Sequence, residues 1–195
     1  MKYFFAFLIF PFFFSCNALS EESIKERLQV KADSALAFCT QNKMNMDYCF
    51  LIDMKIHSGK NRFFVWDFNE KKVIHTGLCC HGKGEGSTRS QPVFSNVEGS
   101  NCTSLGKYKV GIRSYSQWGI NVHYKLHGLD TTNNNAFKRI VVLHSFTPVP
   151  SREIYPIHLI MGWSAGCPVI SDTLMTTLDE LLKDSKKNVL LWIYY

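Results

Sequence analysis

Residues 48–79 read YCFLIDMKIHSGKNRFFVWDFNEKKVIHTGLC, and their pattern decides the fold class. Three apolar runs, CFLIDMKI (49–56), RFFVWDF (62–68) and KVIHTGLC (72–79), are separated by the turn-forming stretches SGKN and NEKK. Runs this short, rich in aromatic and β-branched residues and broken at such intervals, predict a β-meander. Beyond it, residues 81–106 are rich in Gly and Ser and predict a long loop. Two further strands are expected at KYKVGIR (107–113) and INVHYKLH (120–127). In the second, Ile120, Val122, Tyr124 and Leu126 alternate with Asn121, His123, Lys125 and His127, giving one buried and one wet face. The apolar run 138–145, KRIVVLHS, reads as a central strand, and NVLLWIYY (188–195) as a last buried one.

Two helices frame these strands. Residues 21–44 begin with Ser20, Glu21, Glu22 and Ser23, an acidic capping start that suits the positive end of a helix dipole. This helix would serve either as a spacer or as a packed element. Ser171 caps a second helix through residue 184, with Leu174, Leu178, Leu181 and Leu182 on one face. A mainly β domain with one or two flanking helices is the expected fold class.

Composition narrows the function classes. The 195 residues are 46% hydrophobic and only 19% charged, which excludes a disordered chain. The net charge of +6 is spread along the sequence, which argues against nucleic acid as a partner, since that needs a concentrated basic stripe. Seven of the fifteen Phe lie before residue 15, in the run YFFAFLIFPFFF (3–14) that follows Lys2. Twelve apolar residues are too few to span a bilayer, which takes roughly 20. The positive start, short apolar centre and small residues after it predict a signal peptide over residues 1–20. The FFSC sequence ending at Cys16 has the form of a relaxed lipobox, so lipidation of Cys16 is expected, with cleavage after Ala18 as the alternative. Export to the periplasm or cell envelope follows, with residues 21–46 as the N-terminal helix or spacer and 47–195 as the main domain. A monomer is expected.

The chemistry concentrates in VLHS (142–145) and GWSAGCPVIS (162–171). Cys167 sits in a Ser-x-Gly-Cys turn between an apolar run and a helix. Gly166 permits a tight turn there and would free backbone N–H groups to face a carbonyl oxygen. His144 ends a strand, a rigid element able to aim an imidazole at that sulfur. Such a pair is what a thiol nucleophile needs, with the imidazole carrying the proton. Each residue also has an inert reading, Cys167 as a small buried side chain and His144 as a core histidine. Cys79, Cys80, His81 and Cys102 lack zinc-finger spacing, and neighbouring cysteines on a strand point to opposite faces, so no metal is expected.

The ordered motifs resemble those of the murein L,D-transpeptidase catalytic domain branch of the YkuD-type enzymes. They are His81-Gly82, Phe94-Ser95-Asn96, Gly99-Ser100, Thr103-Ser104-Leu105-Gly106-Lys107-Tyr108, Gly128-Leu129, Asn135-Ala136, Arg139, His144 and Gly162-Trp163-Ser164-Ala165-Gly166-Cys167-Pro168. The resemblance covers roughly residues 48–195. It implies a β-sandwich or barrel, no cofactor, and peptidoglycan stem peptides as partners. It implies Cys167 as nucleophile, His144 as base, Ser145 as its orienting group through the backbone carbonyl, and Gly166 with Cys167 as oxyanion donors. Ser164 is implied to shape the turn and to hydrogen-bond substrate, and Trp163 and His81 are further implied substrate contacts. Trp163 stands where that branch usually has Arg, and Ala165 where the wider family often has His. The implied reaction is attack of Cys167 on a tetrapeptide stem, release of D-Ala and transfer to an amine to form a 3-3 cross-link. The alternatives are an L,D-carboxypeptidase or amide hydrolase, and a peptidoglycan-binding lipoprotein without turnover.

Overall fold

The computed structural model describes residues 20–195. The expected signal segment and Cys16 lie outside the described residues. Helix α1 spans Glu21–Gln41, with the Ser20 hydroxyl accepting the Ser23 N–H. The strands are β1 (Tyr48–Asp53), β2 (Phe63–Asp67), β3 (Lys72–Gly77), β4 (Gly106–Tyr115), β5 (Val122–Gly128), β6 (Val142–Ser145), β7 (Val169–Ile170) and β8 (Leu190–Tyr194). Helix α2, Asp172–Asp184, starts at the predicted cap Ser171. The mainly β class with two helices is as expected.

The strands form one sheet in the order β3-β2-β1-β8-β4-β5-β6-β7. β1, β2 and β3 pair antiparallel as the meander predicts. The last strand, β8, then inserts between β1 and β4, parallel to the first and antiparallel to the second. The two sheet edges meet where the Cys80 N–H, just past β3, donates to the Val169 carbonyl of β7 at 2.8 Å. The sheet is therefore nearly closed.

Both faces of β1 are covered, which is why it reads as a continuous apolar run instead of an alternation. Phe50 and Ile52 face an inner core with Phe63, Val65, Tyr108, Leu126, Leu143 and the α2 residues Leu174, Met175 and Leu178. Cys49 and Leu51 face the opposite way, against Leu28, Ala32, Ala35 and Cys39 of α1. α1 is thus a packed element, and Arg27 clamps it to β1 through two hydrogen bonds to Asp53, at 2.9 and 3.0 Å. α2 is tied to the sheet by Asp179, which accepts from Tyr124 Oη at 2.7 Å and from Arg113 Nε at 2.7 Å. A third cluster, Leu78, Cys80, Val149, Leu159 and Val169, underlies the connection from β6 to the Cys167 turn. Cys79 and Cys80 therefore point into separate cores, and the six cysteines of the described residues are all free.

The expected strand at 138–145 is shorter than its apolar sequence suggests. Ile140 adopts φ +58° and is 65% exposed, so residues 138–141 turn and only Val142–Ser145 pair. β5 begins at Val122 because Asn121 takes φ +61° in the turn before it.

Candidate active site

β6 sets the histidine. Leu143 and Ser145 are fully buried, so the alternating residues Val142 and His144 face the other way. His144 is in register with Val169 of β7, and Cys167 lies two residues before that partner. The short parallel β6–β7 pairing thus brings imidazole and thiol to one cleft of about 630 Å³, with Val142, Trp118, Phe146, Trp163 and Ala165 among its walls. A larger cleft of about 820 Å³ between β1 and the end of α2 contains neither residue.

His144 Nδ1 lies 2.9 Å from the Ser145 carbonyl oxygen. A carbonyl only accepts, so Nδ1 carries the proton and Nε2 keeps a lone pair for the cleft. Ser145 is held in turn, since its hydroxyl accepts the Ile120 N–H at 3.1 Å. Cys167 Sγ accepts the Val142 N–H at 3.4 Å. The sulfur is crowded by neighbouring atoms, yet the residue remains partly open to the cleft. This crowding pushes the thiol pKa up, against the opposing pull of the Val142 N–H and the Arg139 charge. Burial pushes His144 down, partly offset by its bond to the Ser145 carbonyl. Both shifts favour uncharged forms, so the resting pair is thiol and neutral imidazole, and no thiolate is stored.

The turn that carries Cys167 is organised by Ser164. Its buried hydroxyl donates to the Cys167 carbonyl at 2.6 Å and accepts the Gly166 N–H at 3.0 Å. One expectation changes accordingly: the Gly166 N–H is occupied within the turn and is not free for an oxyanion, while Ser164 shapes the turn through both bonds. The Cys167 N–H donates to no group among the described residues, which leaves it available for a developing negative oxygen. Gly166 sits at φ +115°, and an added Cβ would lie 2.6 Å from the Cys102 carbonyl oxygen. Close backbone approach as well as left-handed geometry therefore requires glycine.

Arg139 holds the long loop that lies against this turn. It donates to the carbonyls of Ser95 at 2.9 Å and Cys102 at 2.6 Å, and to the hydroxyls of Ser104 at 3.2 Å and Ser100 at 3.4 Å. Its part in the site was not evident from sequence, where it stood only as one motif letter. Trp118, Phe146 and His123 were missed as well. The alternation of β5 places His123 on the wet side, and His123 is in register with His144. Trp118 had no periodic or motif signal because it lies in the loop between β4 and β5.

His81 is not in the cleft. It is 5% exposed, with Nε2 2.8 Å from the Thr88 carbonyl and Nδ1 3.0 Å from an Arg62 nitrogen. Nε2–H donates to the carbonyl, and Nδ1 accepts from the guanidinium. Burial first, then the Arg62 charge, lower its pKa to about 4. The unfolded chain binds this proton near the ordinary histidine value, so the contribution of His81 to stability is full above about pH 6.5 and is lost as pH falls towards 4. A shift of this size corresponds to about 3 kcal/mol. Thermal unfolding from pH 7.5 to 4 should show this decline, and a His81→Gln variant should flatten it. An identical pH slope in that variant would contradict the assignment.

The family model described as L,D-transpeptidase catalytic domain matches residues 20–194. None of the curated proteins matches the chain. Among solved structures, the helical cell shape determining protein Pgp2 from Campylobacter jejuni is 11% identical, over 75% of this chain and 46% of its own, at TM-score 0.49. Bd1075 from Bdellovibrio bacteriovorus is 15% identical over 78% and 49%, at TM-score 0.47. The L,D-transpeptidase from Xylanimonas cellulosilytica is 13% identical over 75% and 60%, at TM-score 0.42. The chain thus spans about half the length of the first of these.

Proposed function

Because the chain belongs to the L,D-transpeptidase catalytic domain family, we propose that it is an exported cysteine acyltransferase acting on peptidoglycan tetrapeptide stems. The observation that carries this reading is the hydrogen bond from His144 Nδ1 to the Ser145 carbonyl, which leaves Nε2 basic in the cleft it shares with Cys167. Cys167 Sγ attacks the carbonyl of the third stem residue, an L-centre, while its proton passes to His144 Nε2. Negative charge gathers on the carbonyl oxygen, where the Cys167 N–H donates. Collapse breaks the C–N bond, and His144 returns the proton to the departing D-Ala nitrogen.

The resulting thioester is taken by an amine of a second stem, whose proton passes to His144 as sulfur leaves as the thiol. Transfer requires the amine to be held in attacking geometry ahead of water. Arg139 supports the chemistry from behind, holding the loop against the Gly166–Cys167 turn and lending positive charge to the sulfur. Export by the N-terminal segment would place the enzyme where such stems occur.

Mass spectrometry of products from disaccharide-tetrapeptide tests the proposal. A Cys167-dependent dimer lacking one D-Ala is expected. Tripeptide alone would reassign the enzyme as an L,D-carboxypeptidase. Unchanged substrate would overturn the donor assignment and favour a binding role.

A further inference from the structure

The walls of the Cys167 cleft have a chemical bias that bears on substrate class. Trp118 and Trp163 both meet the Phe146 ring edge-on, at 5.5 and 5.9 Å between centroids. They form an aromatic wall beside the reacting pair, with Tyr115, Ile140 and Val142 adding further apolar surface. Among the described residues lining the cleft there is no Lys, Arg, Asp or Glu. The two histidines there, His123 and His144, are both shifted towards the neutral form, chiefly by burial. Arg139 is committed elsewhere, to two carbonyls and two hydroxyls of the loop behind the turn.

A carboxylate brought against this wall would lose hydration and gain no ionic partner. An uncharged group loses far less solvation there, and an apolar one also gains contact with the aromatic faces. We infer that the cleft selects a donor whose leaving residue is uncharged at its C-terminus, a carboxamide in place of a free carboxylate, with an apolar side chain against Trp163, Phe146 and Trp118. This rests on the acyl-transfer reading above and specifies which stems that chemistry accepts. The reaction itself is unaltered. The Cys167–acyl bond forms as the peptide C–N bond breaks, and the leaving group departs as an amino acid amide carrying the proton from His144.

The test uses two tetrapeptide donors that differ only in ending as D-Ala carboxylate or D-Ala carboxamide. Release of the C-terminal residue is followed for the wild-type protein and for Trp163→Arg. The wild type is expected to favour the carboxamide at least about tenfold in kcat/KM, equivalent to about 1.4 kcal/mol. Trp163→Arg places a cation in the wall and should shrink or invert that ratio. Trp163 also packs against the cluster beneath it, so Trp118→Arg serves as a second variant. Trp118 is 47% exposed and lies outside that cluster, so its replacement adds the same charge without opening the cluster. Equal rates for the two wild-type donors, or preference for the carboxylate, would overturn the inference. Preference unmoved in folded forms of both variants would also overturn it. Failure to cleave either donor would instead count against the acyl-transfer reading on which it stands.

Discussion

Replacing His144 by Gln is expected to slow thioester formation by about a thousandfold, within the range ordinary for loss of a positioned general base. The size of the effect follows from the resting state of the pair. Burial raises the thiol pKa and lowers that of the imidazole, so hardly any thiolate exists to attack unaided at neutral pH. Gln at this position can fill the space but cannot take the proton. The pH profile provides a second readout. With His144 below its ordinary value of 6.5, wild-type activity should rise from acid pH with its midpoint below that value. Protonated imidazole cannot serve as base, which fixes the direction of that limb. In His144→Gln the limb should vanish, and residual activity should instead climb with pH as thiolate appears. Single-turnover acylation across pH 5–9 would show both features. A variant retaining the wild-type limb would mean that another group accepts the proton.

Gly166→Ala is expected to be strongly damaging for a change of one methyl group. The new Cβ would stand 2.6 Å from the Cys102 carbonyl oxygen and 3.3 Å from Arg139 Nη2, at a φ of +115° that side-chain-bearing residues rarely adopt. Relief requires moving either the Cys167 turn or the loop that Arg139 holds. Backbone strain of this kind costs roughly 1–3 kcal/mol before the overlap is counted. A melting-temperature drop of about 5–10 °C is expected, since 1 kcal/mol corresponds to about 2–4 °C in a domain of this size. Acylation should be lost as well, because the turn also sets the direction of the Cys167 N–H and Sγ. Unchanged melting temperature and acylation rate would contradict this account of the turn.

Local patterns carried much of the fold. The β1–β3 meander and the Ser171-capped helix were readable because turn residues and periodicity act within a few positions. The β1–β8 pairing joins residues about 140 positions apart, and nothing local announces it. β7 is two residues long and carries no period of its own, yet it aligns Cys167 with His144. At 138–141, apolarity suggested strand while Ile140 adopts left-handed backbone and faces solvent.

The site divides in the same way. Cys167 and His144 stood out because their chemistry is bound to residue type and to the Ser-x-Gly-Cys turn. His81 carried a motif but was drawn inward by Arg62, a partner supplied by tertiary packing. The aromatic wall combines side chains from the β4–β5 loop, the end of β6 and the approach to Cys167, so no spacing rule could join them. Hydrogen-bond satisfaction was also hidden. Ser164 and Gly166 occupy each other, which only the folded turn reveals.

The central claim is that Cys167 forms a thioester with a stem peptide, assisted by His144. Its most direct test is intact-mass spectrometry of the protein shortly after mixing with disaccharide-tetrapeptide, ending in carboxylate or in carboxamide, with Cys167→Ala as control. The account predicts a mass gain equal to the donor minus its leaving residue, confined to Cys167 and matched by release of that residue. Unmodified protein with both donors intact, or the same mass gain in Cys167→Ala, would contradict it.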